Sequence, residues 1–360
     1  MLKVVVYTDS EGIGGAEISL GHLVATTSPK IDLTVVGVSQ TVVDAIANRR
    51  QSHRMIVAKN FFAHWSTFKR LQPDIIHVNL CTPWACATAL TAALSLPTVR
   101  IVRVDQLPLR TTDAIALWRT RFLSLRVDAH VAVGNASARR IEDFYALGRH
   151  SVISIPNGVP DLGESIPASV KASLIVGSIG RLDAMKAHDI LLRAIAPLER
   201  VKAVILGEGQ ERSTLQKLAA ELGILDRVEF PGWIDDPRSY LPKFDVVAMP
   251  SRSEGFPLAM VEAMLAARPV IATRVGSMPE AVIDHQTGLL IEKNDVAGLT
   301  EALRSLRDRP EFRLQLGNKA RELARKHFTA QIMTEQYERL WQTLIQRPRS
   351  PRFAVPRPKD

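Results

Sequence analysis

Cysteine is nearly missing from this chain: two residues in 360, Cys81 and Cys86. Two thiols are too few for a zinc cluster or a disulfide framework. Both fall in apolar sequence, which points to a reduced, cytosolic protein with buried thiols. Long hydrophobic runs are missing too. The longest, Ala85 to Leu96, is interrupted by Thr88, Thr91 and Ser95, whereas a membrane-spanning helix needs about 20 apolar residues. The N-terminus MLKVVVYTDS has too short an apolar core for a secretory leader and reads as a first buried strand.

Acidic residues are outnumbered. Lys and Arg total 46 against 37 Asp and Glu, a net charge of +9. That balance suits phosphorylated ligands, an anionic membrane surface or nucleic acid. Nucleic acid is disfavoured, because no zinc finger, helix-turn-helix pattern or interleaved aromatic motif accompanies the charge.

What is present is a repeating alternation. Short Val/Ile-rich runs at Val4–Tyr7, Leu33–Val38, Ile75–Val78, Val99–Val104, His130–Val133 and Val152–Ile155 are separated mostly by amphipathic stretches. The pattern restarts with Leu174–Ile179, Lys202–Leu206, Val228–Phe230, Val246–Met249 and Val270–Thr273. Apolar runs without polar alternation indicate parallel strands covered on both faces. Strand–helix repetition predicts an α/β fold of two Rossmann-like doubly wound sheets facing across a cleft. The turn dipeptide Asn157-Gly158 and the aperiodic stretch after it mark the break. The boundaries are residues 1–160, a linker over 161–172, a second domain over 173–330 and a helix over 331–346. A basic Pro-rich tail over 347–360 is expected to be disordered.

Three segments carry candidate chemistry. Ser251-Arg-Ser-Glu254-Gly255-Phe256-Pro257-Leu258-Ala-Met-Val-Glu262 follows a strand ending at Pro250. Pro257 is suited to a first helical turn. The N–H groups at such a helix start attract phosphate. Gly255 permits close backbone approach, and Glu254 and Glu262 are acceptors for a vicinal diol. Gly177-Ser-Ile-Gly180-Arg181-Leu-Asp-Ala-Met-Lys186 delivers two cations five residues apart, suited to a diphosphate leaving group. Glu11-Gly-Ile-Gly14-Gly15-Ala-Glu17 follows the first strand. Its sixth position is Glu17 rather than glycine, and no acidic residue ends the second strand. It therefore reads as a loop for phosphate or sugar, not a dinucleotide fingerprint.

In this order these segments resemble glycosyltransferase family 4, a family with the GT-B fold. The resemblance covers most of the chain and also draws on Pro156-Asn157-Gly158-Val159, Leu206-Gly207-Glu208-Gly209, Phe230-Pro-Gly-Trp233, Gly276-Ser-Met-Pro-Glu280 and Thr287-Gly288-Leu289-Leu290. It implies a metal-independent, retaining transferase with no cofactor. The donor is a nucleoside-diphosphate sugar and the acceptor a hydroxyl in polysaccharide or glycolipid assembly. The N-terminal domain would bind acceptor, the second domain the donor, and the C-terminal helix would pack back on the first. Arg181 and Lys186 would grip the diphosphate, and Glu254 would lie by the transferred sugar. Glu262 would hold the ribose, with Trp233 near the base. Gly14, Gly15, Gly180, Gly209, Gly255, Phe256, Pro257 and Leu258 would line the donor. The sequence contains no Asp-x-Asp, the pair by which metal-dependent enzymes of this kind commonly hold their cation.

Two departures fall in the first domain. A His-Asp pair common in the family is replaced by Val102-Arg103-Val104-Asp105-Gln106, so that Asp105 is the candidate for the vacant catalytic role. Gly134 stands where serine is common, and His77 reads as structural. Arginines 100, 103, 110, 119, 121 and 126 surround the apolar stretch Ala114–Leu125 with Trp118 and Phe122. Two readings are open for it: a core-packing helix with a solvated basic face, or a helix lying on an anionic membrane near a lipid-linked acceptor. Two rival functions share the architecture, a non-catalytic sugar-nucleotide binder and a sugar-nucleotide epimerase.

Overall fold

The computed structural model describes residues 1–161, 163 and 173–348. The linker expected over 161–172 and the tail expected over 347–360 therefore lie almost wholly outside the described residues. The chain divides into two compact units, Met1–Pro160 with the C-terminal segment from Ala330, and Asp161–Thr329.

In the first unit the Val/Ile runs form strands β1 (Leu2–Thr8), β2 (Ile31–Gly37), β3 (His53–Ile56), β4 (Ile75–Leu80), β5 (Arg100–Asp105), β6 (Ala129–Ala132) and β7 (Val152–Ser154). They make one parallel sheet in the order β3-β2-β1-β4-β5-β6-β7. Alternate residues feed opposite faces, as the period of two requires. Val4 and Val6 join a core with Leu20, Leu23 and Val24, while Val5 and Tyr7 join another with Phe68, Leu90 and Ile101.

The helix Ala330–Gln346 belongs to this unit. Met333, Tyr337, Trp341 and Leu344 complete the first of those cores. His77 sits within β4 and meets Tyr337 and Trp341 edge-on, with ring centroids at 5.0 and 5.8 Å. Burial drives its pKa down to about 3, so the imidazole packs as a neutral ring.

The second unit repeats the plan with β8 (Leu174–Ile179), β9 (Val201–Leu206), β10 (Val228–Gly232), β11 (Val246–Met249), β12 (Val270–Thr273) and β13 (Gly288–Ile291). Its sheet is parallel, in the order β10-β9-β8-β11-β12-β13. Each unit is thus a doubly wound sheet. The strand order reverses between β1 and β4 in the first and between β8 and β11 in the second. Loops leaving neighbouring strands part company there, opening a crevice beyond the carboxyl ends.

Candidate functional site

At the switch point of the second unit, β8 hands the chain to Gly180 and Arg181, and β11 hands it to Pro250 and Ser251. The first loop is shaped by Asp183. Its Oδ1 accepts from the N–H groups of Met185 and Lys186 at 3.0 and 3.1 Å, and its Oδ2 from Arg181 Nε at 2.8 Å. Partial burial alone would raise the Asp183 carboxyl, but the Arg181 hydrogen bond and charge more than offset it and keep it ionised. Arg181 remains 67% exposed. His188, at the start of the helix His188–Ile195, is buried. Its Nδ1 meets Ser178 Oγ and its Nε2 meets the Arg181 carbonyl, both at 3.2 Å. Desolvation lowers its pKa to about 4, which leaves it neutral beside the two cations.

The Lys186 stem lies over Gly180, where a Cβ would stand 3.1 Å from Lys186 Cε. That course carries Nζ to Glu254 Oε1 at 2.6 Å, and Ser251 Oγ donates to the same oxygen at 2.8 Å. The loop bearing Glu254 is braced from behind. Gly276 adopts a φ of +55° and lies so close that a Cβ would fall 2.1 Å from the Glu254 carbonyl oxygen. The neighbouring Ser277 N–H donates to the Gly255 carbonyl at 2.9 Å. Thr273 Oγ1 donates to the Ser251 carbonyl at 2.6 Å. Phe256 is buried against Phe328, centroids 5.0 Å apart. Pro257 is the N-cap, one residue earlier than the first-turn position expected of it. The helix runs Leu258–Leu265.

Glu262 lies on that helix with its side chain 10% exposed, 3.9 Å from Arg238 Nε. Desolvation raises its pKa to about 6, with Arg238 opposing the rise and Asp236 adding to it. Trp233 follows β10, 59% exposed, its Nε1 donating to Asp235 at 3.0 Å. The same loop leads through Asp236 to Arg238, and so to Glu262. Gly209 lies after β9, its carbonyl accepting from Arg212 N–H at 3.2 Å.

Arg252 was not among the residues singled out from sequence, yet it fastens the two loops together. Its guanidinium holds Asp189 bidentately at 3.0 and 2.8 Å and donates to the Ala184 carbonyl and to Asn294 Oδ1. Its own N–H donates to the Met185 carbonyl at 2.7 Å. A cavity of about 560 Å³ adjoins this clamp, lined among others by Asp183, His188, Asp189, Arg193 and Arg252. A displaced Lys186 would act on misplaced groups, and small misplacements are costly in catalysis. Arg252→Ala should therefore cost roughly tenfold or more in kcat/KM. Arg252→Lys, which keeps charge but not the fork, should recover part of it. Steady-state kinetics of the two variants, each with its melting temperature, checks this. Equal activity in both would show the clamp to be idle.

In the first unit Gly14 is the N-cap of the helix Gly15–Thr26, and Glu17 Oε2 accepts from its N–H at 3.0 Å. Cys86 N–H donates to Asp9 Oδ2 at 2.8 Å, tying the loop after β1 to the one after β4. Asp105 requires a correction. It is not presented at an open crevice but fully buried, held by Arg103 at 3.0 Å through both Nε and Nη2, and by His130 Nε2. Burial opposes ionisation of its carboxyl, but Arg103 and His130 outweigh it and hold the pKa at about 2. A carboxylate closed in this way holds β5 to β6.

Two doubly wound sheets in one chain, with Lys186 paired to Glu254 and Arg181 exposed nearby at the second switch point, place this protein in the GT-B class. Among solved structures, Anabaena HepE in complex with UDP superposes with a TM-score of 0.84 over 95% of this chain and all of that one, at 19% identity. That identity speaks for the fold alone. The glycosyl transferases group 1 model matches residues 165–323, and the glycosyltransferase family 4 model matches 13–161. The chain belongs to these glycosyltransferases. It is 30% identical over 202 residues to the lipopolysaccharide core biosynthesis glycosyltransferase LpsE of Rhizobium meliloti, covering 56% of this chain and 57% of that one. It is 39% identical over 142 residues to the D-inositol 3-phosphate glycosyltransferase of Mycolicibacterium smegmatis, covering 38% of this chain and 33% of that one. These matches thus span between a third and three fifths of the relatives' length.

Proposed function

We propose that this protein transfers a sugar, with retention of anomeric configuration, from a nucleoside-diphosphate sugar to a hydroxyl of a growing glycan or glycolipid. The observation that carries the reading is the Lys186–Glu254 pair at the β8/β11 switch point, beside the start of the helix Leu258–Leu265. Arg181 and Lys186 take the diphosphate, with backbone N–H groups of the Phe256–Leu258 turn. Glu254 faces the sugar carbon, where positive charge develops as the glycosidic bond stretches. The C1–O bond to the diphosphate breaks, the acceptor oxygen attacks from the same face, and the leaving phosphate oxygen takes the acceptor's proton. Lys186 and Arg181 stabilise the charge left on the diphosphate. Glu262 accepts hydrogen bonds from the ribose diol, and Trp233 lies near the base.

UDP, the nucleotide bound in the Anabaena structure, is the first donor moiety to test. Thermal-shift titration with UDP-, GDP- and ADP-sugars identifies the donor, since a ligand at about 100 times its Kd stabilises by roughly 2.7 kcal/mol. Stabilisation by none of them would count against the reading. Donor turnover that requires an added hydroxyl acceptor separates transfer from epimerisation and from mere binding. With two fixed cations in place of an Asp-x-Asp, the reaction is proposed to need no metal or cofactor. Chelator should leave the rate largely unchanged, and loss restored by magnesium or manganese would contradict this.

A further inference from the structure

The helix Ala114–Ser124 carries large apolar side chains on its outer face as well as its inner one. Leu117, Thr120, Leu123 and Ser124 turn toward the protein, two of them hydroxyl residues, and buried Thr120 Oγ1 has no hydrogen-bond partner. Outward, at the i, i+3, i+7, i+10 spacing of one stripe, stand Ile115, Trp118, Phe122 and Leu125, exposed by 79, 66, 48 and 53%. The core-packing reading holds for the inner face, where Leu117 and Leu123 meet the core, but the outer face is apolar as well as basic. The basic fringe is also smaller than the sequence implied. Arg100 and Arg103 are buried, in ion pairs with Asp128 and Asp105.

What remains around the stripe is mainly positive. Arg110, Arg119, Arg121 and Arg126 border it, against a single acidic residue from Arg110 to Val127, Asp113, whose side chain caps the helix by accepting from the Ala116 N–H. Among the described residues Arg110, Arg119 and Arg121 form no salt bridge. Two arginines lie on the exposed rings, Arg121 over Trp118 at 5.8 Å and Arg126 over Phe122 at 3.6 Å. Contiguous exposed apolar surface of this kind marks an interaction site. A second copy packed symmetrically on it would set arginine against arginine. A surface both apolar and anionic would satisfy the rings and the guanidinium groups together, as the boundary between acyl chains and phosphates does.

We propose that the stripe Ile115–Trp118–Phe122–Leu125, with its arginine border, docks this protein on an anionic membrane surface. Among the described residues no helix is long and apolar enough to cross a membrane, so the attachment lies in the interface and is reversible.

The test is co-sedimentation of the full chain with phosphatidylcholine vesicles, with and without phosphatidylglycerol. Binding is expected to the anionic vesicles at low salt, with release at high salt. The Ile115→Ser/Trp118→Ser variant should lose at least about tenfold in partition coefficient, given the apolar area removed. Each of Arg119→Gln, Arg121→Gln and Arg126→Gln should lose roughly fivefold on anionic vesicles. Ile115, Trp118 and Arg119 are exposed, so their variants should keep the wild-type melting temperature; Arg121 and Arg126 are half-buried, and the melting temperatures of their variants are measured beside the binding. The arginine variants carry the test should the double variant misfold. No binding at low salt, or variants that bind as wild type does, would overturn the proposal. So would a dimer that dissociates on Trp118→Ser, which would show a second copy to be the occupant.

Discussion

Lys186→Ala should lower kcat by about a hundredfold or more, the scale on which a preorganised charge aimed at a leaving group acts. The structure adds a reason to expect a large effect. Lys186 Nζ is already 2.6 Å from Glu254 Oε1, with the two side chains 20 and 8% exposed. Removing the ammonium deletes a charge aimed at the diphosphate and also leaves the Glu254 carboxylate with Ser251 as its described hydrogen-bond donor. Glu254→Gln keeps the shape and an acceptor but removes the negative charge beside the sugar, so kcat should fall steeply with KM little altered. Residues that work as a unit are not additive. The Lys186→Ala/Glu254→Gln double variant should therefore lose little more than the worse single variant. Arg181→Ala should also cost about a hundredfold. Near-normal turnover in both cation variants, with the fold intact, would remove the assignment of the diphosphate site.

The sheets were legible because parallel strands covered on both faces leave a dense apolar signature. All eleven Val/Ile runs fall on strands. Two strands gave no such signal. β3 reads His-Arg-Met-Ile and is an exposed edge, while β13 is four residues beginning at a glycine at the opposite edge of its sheet. Spacing also brought out Arg181, Lys186, Glu254 and Glu262, since motif residues that follow a strand are delivered to its carboxyl end. Spacing could not show which of them touch. The meeting of Lys186 and Glu254 depends on strands 70 residues apart in sequence lying side by side, Val176 beside Val246. Arg252 stayed hidden because a surface arginine looks like any other until its four acceptors converge. Asp105 misled for the opposite reason. Its place in the sequence suggested chemistry, but the residue two before it is its ion-pair partner, and His130 on the next strand is hydrogen-bonded to it. The sequence of Ala114–Leu125 showed apolar and basic residues together but not which of them faced out.

Glu262→Gln should raise the donor KM about tenfold or more while leaving kcat within about twofold. Hydrogen bonds from a ribose diol far from the breaking bond are equally present in ground and transition states. The same substitution should make the donor-free protein more stable, and the pH dependence of that gain is fixed in sign. Folding raises the Glu262 pKa from 4.5 to about 6 by burying it. Below pH 4.5 the carboxyl is protonated in both states, and the variant gains nothing. Between 4.5 and about 6 the unfolded chain releases its proton while the folded one keeps it, so the wild type loses stability as pH rises. Above about 6 the whole cost is present, about 2 kcal/mol for this shift. Melting curves of wild type and variant should accordingly coincide in acid and part above pH 6, with the variant higher. Donor binding reverses the preference, because ribose hydroxyls donate to the ionised form. The wild-type KM should therefore climb as pH falls below about 6, and the variant's should stay flat. A variant that is no more stable above pH 6, or whose KM matches the wild type throughout, would show that Glu262 neither bears a burial cost nor meets the donor.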